Sequence, residues 1–215
     1  MNKLFIIGLP RTGTTSVSVA LLEHGFNVAH TAFTKRAFEL ADVISDAPCF
    51  SDYQQLDLLF PESRYVYLDR PIEKWLPSIQ MLLKKMQEPL DIKTGYFNPV
   101  LKRSFNETFK LSSASYPFDS QHLATCYQAH KEEVLSYFST RDDFLSIDIS
   151  QSGSLGTLLS FLNISIEGLT KTDTDFPRLN IGKQVDSWKE FKHPNKVNPN
   201  SAGREHRKFF DYHLT

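Results

Sequence analysis

Leu4 to Ala20, LFIIGLPRTGTTSVSVA, constrains this chain more than any other stretch. Leu4 to Ile7 is an apolar run of the length of a buried strand. Gly8-Leu9-Pro10-Arg11-Thr12-Gly13-Thr14-Thr15 follows as a turn rich in small residues. From Ser16 onward, Val17, Ala20 and Leu21 recur at helical spacing, which predicts a helix from near Thr14. Strand, glycine-rich turn and helix form the layout of a phosphate-binding loop. Small residues let backbone N–H groups turn inward. The helix N-terminus adds unpaired donors and partial positive charge, so an anion is favoured there.

Gly8 and Gly13 keep the spacing of the ATP/GTP loop, and Thr15 matches its final hydroxyl. Thr14 stands where that loop carries lysine, and a cation comes earlier, at Arg11. The missing lysine normally reaches the β- and γ-phosphates, so ordinary nucleoside triphosphate hydrolysis is disfavoured. Pro-Arg-Thr-Gly-Thr-Thr-Ser resembles instead the 5′-phosphosulfate loop of sulfotransferases. Those enzymes take 3′-phosphoadenosine 5′-phosphosulfate (PAPS) as donor and release PAP. The resemblance implies an α/β, three-layer P-loop NTPase-like fold with a central parallel sheet flanked by helices. It implies that Pro10, Arg11, Thr12, Gly13, Thr14, Thr15 and Ser16 hold the donor, with Arg11 the cation on the sulfuryl group.

Arg64 to Leu68 is rich in strand formers and ends just before Asp69-Arg70-Pro71. Open α/β sheets bind ligands at such strand ends. Arg70-Pro71-Ile72-Glu73-Lys74-Trp75 with Ser78 resembles a sulfotransferase subgroup pattern, Arg-Asp-Pro-Glu-Lys-Trp with a later Ser. Arg, Glu, Lys, Trp and Ser keep their places, while Pro-Ile replaces the Asp-Pro step. The resemblance implies that Arg70 and Ser78 grip the 3′-phosphate. A guanidinium fork suits that group because it donates two parallel hydrogen bonds. A surface ion pair between Arg70 and Asp69 is the plainer alternative.

Sulfuryl transfer to an alcohol or amine needs a group to take the acceptor's proton. Asp46-Ala47-Pro48 is similar to the family's His-Leu-Pro step, which puts Asp46 in the place of the base. A carboxylate near pKa 4 is a weak base unless burial raises it. His30, after Gly25-Phe26, is the competing candidate, because histidine titrates near neutral pH without a large shift. Arg204, Arg207 and Lys208 echo a late Arg-Lys-Gly segment of the family, and Phe176 to Asn180 echoes another late stretch.

Short strands and helices alternate through the first half, which argues a parallel sheet with helices on both faces. Strands are predicted at Phe26 to Ala29, from Val43, at Arg64 to Leu68 and at Phe144 to Ile149. Helices are predicted at Thr14 to His24, Thr34 to Ala41, Asp52 to Phe60, Ile72 to Met86 with a kink at Pro77, Ser120 to Thr140 and Ser154 to Leu162. One domain spanning 1–215 is expected, with an irregular, aromatic insertion at about 87–118 that is either a lid over the acceptor or a packed helical excursion. The 24 Lys+Arg balance 25 Asp+Glu, which argues against nucleic-acid or polybasic membrane partners. Cys49 and Cys126 have no disulfide or metal spacing. The early first strand leaves no room for a signal peptide, and no apolar run has membrane-spanning length, so a cytoplasmic protein is expected. The resemblance implies a small-molecule or glycan acceptor with a hydroxyl or amine. A P-loop kinase of small molecules and a non-catalytic nucleotide-binding module are the alternatives. Asp69 beside Arg70 is the feature that keeps a kinase-like reading open.

Overall fold

The computed structural model describes residues 2–168, 170, 173–176 and 188–203. Five strands, β1 (Leu4–Ile6), β2 (Val28–Ala29), β3 (Val43–Ser45), β4 (Arg64–Leu68) and β5 (Phe144–Ile147), form one sheet in the order β2-β3-β1-β4-β5. Every strand pairing is parallel. Seven helices appear among the described residues: α1 (Thr14–Glu23), α2 (Lys35–Leu40), α3 (Cys49–Leu59), α4 (Ile72–Leu90), α5 (Pro99–Phe109), α6 (Ser120–Tyr137) and α7 (Ser154–Phe161). The α/β fold expected from the sequence is therefore present, with helices on both faces of the sheet.

Period-two alternation decides which helix covers which face. Leu4 and Ile6 of β1 pack with Val66 and Leu68 of β4, against Val17 and Leu21 of α1 and Leu155 and Leu158 of α7. Phe5 and Ile7 point the other way, toward Tyr65 and Tyr67, and are covered by Leu56 of α3 and Val134 of α6. A third apolar cluster joins Leu9 to Trp75, Ile79, Phe105, Phe109 and Tyr127. It fastens α4, α5 and α6 to the end of the sheet where the loops carry their functional residues.

Some boundaries differ from the sequence reading. The third helix starts at Cys49 rather than Asp52, because the Pro48 carbonyl accepts from both Ser51 N and Asp52 N. Helix α4 runs through Pro77 and on to Leu90 instead of stopping at Met86. Trp75, Ile79 and Leu83 are buried along one side of it, and that packing outweighs the lost proline N–H. The 87–118 section contains α5, which buries Val100, Phe105 and Phe109. Asn98 caps α5 by accepting from Val100 N at 2.9 Å.

A buried ion pair ties α5 to the base of α3. Arg103 donates to Asp52 Oδ1 at 2.9 Å and to Oδ2 at 2.6 Å, and Asp52 is only 1% exposed. Removing the arginine leaves a buried carboxylate without its cation. Arg103→Ala is expected to lower unfolding stability by about 3–5 kcal/mol, read by urea denaturation. A loss under 1 kcal/mol would mean that water replaces the guanidinium.

Candidate functional site

The carboxyl ends of the parallel strands converge on one edge. The loop after β1 carries Arg11, that after β2 His30, that after β3 Asp46, that after β4 Arg70 and that after β5 Asp148. In an open α/β sheet this is the crevice that takes ligands, at the point where strand order reverses around the first strand.

The glycine-rich loop is held from behind. Thr12 donates to the Leu9 carbonyl through its amide at 3.2 Å and its hydroxyl at 2.7 Å. Trp75 Nε1 donates to the Pro10 carbonyl at 2.9 Å, and Arg70 Nη1 donates to the Arg11 carbonyl. Arg11 and Gly13 take left-handed backbone, with φ of 72° and 112°. The loop thus spends its carbonyls on the protein. Helix α1 begins after Gly13 with no side-chain cap, so its first-turn amides keep no intrahelical partner. The Thr12 amide and hydroxyl, both donating to Leu9 O, brace the loop from within. Pro10, Thr12, Thr14 and Ser16 are buried, whereas Arg11, Gly13 and Thr15 are partly exposed.

A side chain at position 13 requires Ile149 to move and the backbone to keep a strained angle. A Cβ there lies 2.1 Å from Ile149 Cδ1, and its φ of 112° disfavours any L side chain. Gly13→Ala is expected to cost about 1–3 kcal/mol, which is roughly 2–4 °C of Tm per kcal/mol for a chain of this size. An unchanged Tm in thermal denaturation would mean that the loop relaxes freely.

Arg11, Arg70 and Ser78 meet. Arg11 Nε donates to Ser78 Oγ at 2.8 Å, across 67 residues of sequence. Ser78 keeps its own hydroxyl proton for another acceptor. Burial, and then the charge of Arg70, lowers the pKa of Arg11, with Asp46 opposing. Burial likewise lowers that of Arg70, with Asp148 and Tyr127 opposing. Among the described residues neither guanidinium has an ion-pair partner. Two half-buried cations side by side form a site that an anion would relieve.

Arg70 does not pair with Asp69. Lys131 Nζ holds Asp69 Oδ2 at 2.6 Å, and Tyr127 Oη donates to Asp69 Oδ1 at 2.9 Å or to the Arg70 carbonyl at 2.7 Å. The same phenol oxygen accepts from Arg70 N at 3.1 Å. This clamp fixes the backbone from which Arg70 reaches the loop. Sequence reasoning missed Tyr127 and Lys131, which sit one helical turn apart on α6. The apolar spacing of that helix marked Tyr127 only as a core position. Among the described residues no group of three or more His, Cys, Asp or Glu side chains is arranged to hold a metal ion.

Asp46 and His30 also come together, with Nε2 to Oδ2 at 3.6 Å. Their side chains keep 13% and 18% of their surface for His30 and Asp46 respectively. Burial raises the Asp46 pKa to about 7, against the Ala47 amide and Arg11, which lower it. Burial, with the nearby charge of Lys196, lowers that of His30 to about 4. Burial thus moves the two groups in opposite directions, the carboxyl up and the imidazole down. Lys196 and Trp188 belong to a segment running beside β2, where Val28 N donates to Asn195 O at 3.0 Å and Val197 N to Val28 O at 2.9 Å. The Trp188 ring lies 5.2 Å from that of His30. Neither residue stood out in the sequence, since the contact depends on this late return of the chain.

Arg204, Arg207, Lys208 and residues 177–180 lie outside the described residues. Among those described, no helix is long and apolar enough to cross a membrane. Residues 31–185 match the family model described as "Sulfotransferase domain". The match spans more than half of the chain and takes in Asp46, Arg70 and Ser78, starting after the glycine-rich turn. No curated protein matches the chain.

Proposed function

The chain belongs to the sulfotransferase domain family, and from that premise we propose that it moves a sulfuryl group from PAPS to a hydroxyl or amine of a small-molecule or glycan acceptor. The observation that carries this reading is the convergence of Arg11, Arg70 and Ser78 at the carboxyl edge of the sheet. Two guanidiniums and a hydroxyl with a free proton suit a ligand bearing separated anionic groups.

PAPS, as substrate, supplies a phosphate–sulfate anhydride; a bond forms from the acceptor heteroatom to sulfur as the bond from sulfur to the 5′-phosphate oxygen breaks, and PAP leaves. Arg11 and the amides of the first turn of α1 hold the negative charge that develops on the departing oxygen. Arg70 and Ser78 hold the 3′-phosphate. Asp46 takes the acceptor's proton, because burial leaves its carboxylate basic enough near neutral pH. His30 supports Asp46 and stays uncharged. Asp69 is occupied by Lys131 and Tyr127 and so is poorly placed to serve a nucleotide-bound cation.

The test is transfer of radiolabelled sulfate from PAPS to a panel of phenols, alcohols, amines and sugars, beside ATP with Mg²⁺. Sulfated product with PAP release is expected. Phosphorylated product from ATP, or nucleotide binding with no transfer to any acceptor, would overturn it. Arg70→Ala is expected to weaken PAP binding by roughly 10–100-fold, the worth of hydrogen bonds to a charged group, while binding of 5′-AMP changes little. Equal losses for both nucleotides would place Arg70 away from the 3′-phosphate.

A further inference from the structure

Behind His30 lies a polar cluster that the reaction does not consume. Ser45, the last residue of β3, and Ser18, on α1, are both fully buried. Ser45 Oγ lies 2.8 Å from Ser18 Oγ, 2.9 Å from His30 Nδ1 and 3.2 Å from the His30 carbonyl, to which it donates. Ser18 Oγ is also 3.3 Å from His30 Nδ1. Each hydroxyl has one proton and two lone pairs. We assign the Ser45 proton to the carbonyl, the one of these partners that can only accept; its oxygen then accepts from Ser18 and from His30 Nδ1–H. That arrangement satisfies every group in the cluster, and it puts the imidazole proton on Nδ1.

We propose that Ser45, backed by Ser18, is a positioning residue that locks His30 in the Nδ1–H tautomer, so that a bare Nε2 lone pair faces Asp46. The inference rests on the reading of Asp46 as base and adds to it a cause. At 3.6 Å the two atoms are beyond hydrogen-bond distance, yet a lone pair turned toward the carboxyl disfavours its ionised form. It therefore favours the proton on Asp46. The opposite tautomer would place an N–H toward the carboxylate and favour ionisation, leaving a weaker base. Thr15 Oγ1, 3.4 Å from the same Nε2, is the other group that this nitrogen can meet.

The charged and titratable groups around Asp46 are few. Arg11 faces it from the glycine-rich loop, His30 from the end of β2 and Cys49 from the start of α3, while Lys196 acts on His30 from the segment beside β2. Burial keeps the Cys49 thiol protonated by raising its pKa, and Arg11 holds a fixed charge. Among the described residues, His30 is then the titratable neighbour whose ring can present either an N–H or a lone pair to the carboxyl without a change in net charge.

The experiment is nitrogen NMR of the full chain labelled with ¹⁵N-histidine, the His30 signals being those lost in His30→Asn. In the unmutated protein at neutral pH, Nδ1 is expected to carry the proton and Nε2 to show the shift of a bare ring nitrogen. Ser45→Ala should move the proton wholly or partly to Nε2, and Ser45→Thr should restore the first pattern. The carboxyl carbon of Asp46, followed by ¹³C NMR against pH, should titrate at lower pH in Ser45→Ala. An Nε2–H tautomer in the unmutated protein overturns the proposal, as does a Ser45→Ala protein with unaltered nitrogen shifts and Asp46 midpoint. Should Ser45→Ala fail to fold, the unmutated tautomer and Ser18→Ala, expected to shift both signals in the same direction by less, decide the matter. None of these readouts uses turnover. Absence of sulfuryl transfer with the expected NMR pattern would remove the base reading and leave the tautomer assignment standing.

Discussion

Asp46→Asn is expected to lower kcat for sulfuryl transfer by about 10²–10⁴-fold, the usual contribution of a positioned general base, with PAP affinity nearly unchanged. The substitution keeps the size of the side chain and removes only its ability to take a proton. A second consequence separates this loss from simple damage. The folded pKa of Asp46 is raised to about 7 from an ordinary 3.8. Between those values the folded chain binds the proton and the unfolded chain does not, so this group's contribution to stability falls as pH rises through that window. Above pH 7 the wild type carries an ionised, largely buried carboxylate that the asparagine variant lacks. Tm should therefore rise in Asp46→Asn at pH 8 and change little at pH 5. His30 acts in the opposite sense: its pKa falls from 6.5 to about 4, so its contribution grows as pH rises across that range. Steady-state kinetics and pH-dependent thermal denaturation check both parts. Lost activity with lower stability at every pH would make Asp46 a structural residue.

Arg11→Ala is expected to reduce kcat/KM for PAPS by about 10²–10³-fold, the worth of one donor aimed at developing charge. PAP binding should weaken far less, because Arg70 and Ser78 remain. Arg11→Lys should recover only part of the rate, since an ammonium cannot both bond Ser78 as Nε does at 2.8 Å and present a planar fork to an anion. Single-turnover rates beside calorimetric PAP affinities separate the two effects. Equal losses in rate and product binding would make Arg11 a plain binding residue.

Much of this was legible in the sequence, for definite reasons. The strand-turn-helix at Leu4 to Ala20 announces itself by local pattern, and the parallel sheet follows from alternation of short apolar strands with helices. Arg70 and Ser78 were legible because a motif holds them eight residues apart. The order of strands was not, since it is set by which faces bury together. The helix through Pro77 was also hidden, as buried Trp75, Ile79 and Leu83 override a local breaker. Long-range polar contacts were least visible. Tyr127 under Arg70, Arg103 on Asp52 and Ser45 behind His30 each join residues whose meeting depends on tertiary packing. Burial shifts the pKa values of Asp46 and His30 in opposite directions, which no local sequence pattern reveals.

The most direct measurement of the central claim is a calorimetric titration of the full chain with 3′,5′-ADP, 5′-ADP, and ATP with Mg²⁺. If the paired guanidiniums and Ser78 form a crevice for a 3′-phosphorylated nucleotide, 3′,5′-ADP should bind roughly 10–100-fold tighter than 5′-ADP and without a metal requirement. Tighter binding of ATP with Mg²⁺, or indifference to the 3′-phosphate, would contradict the account.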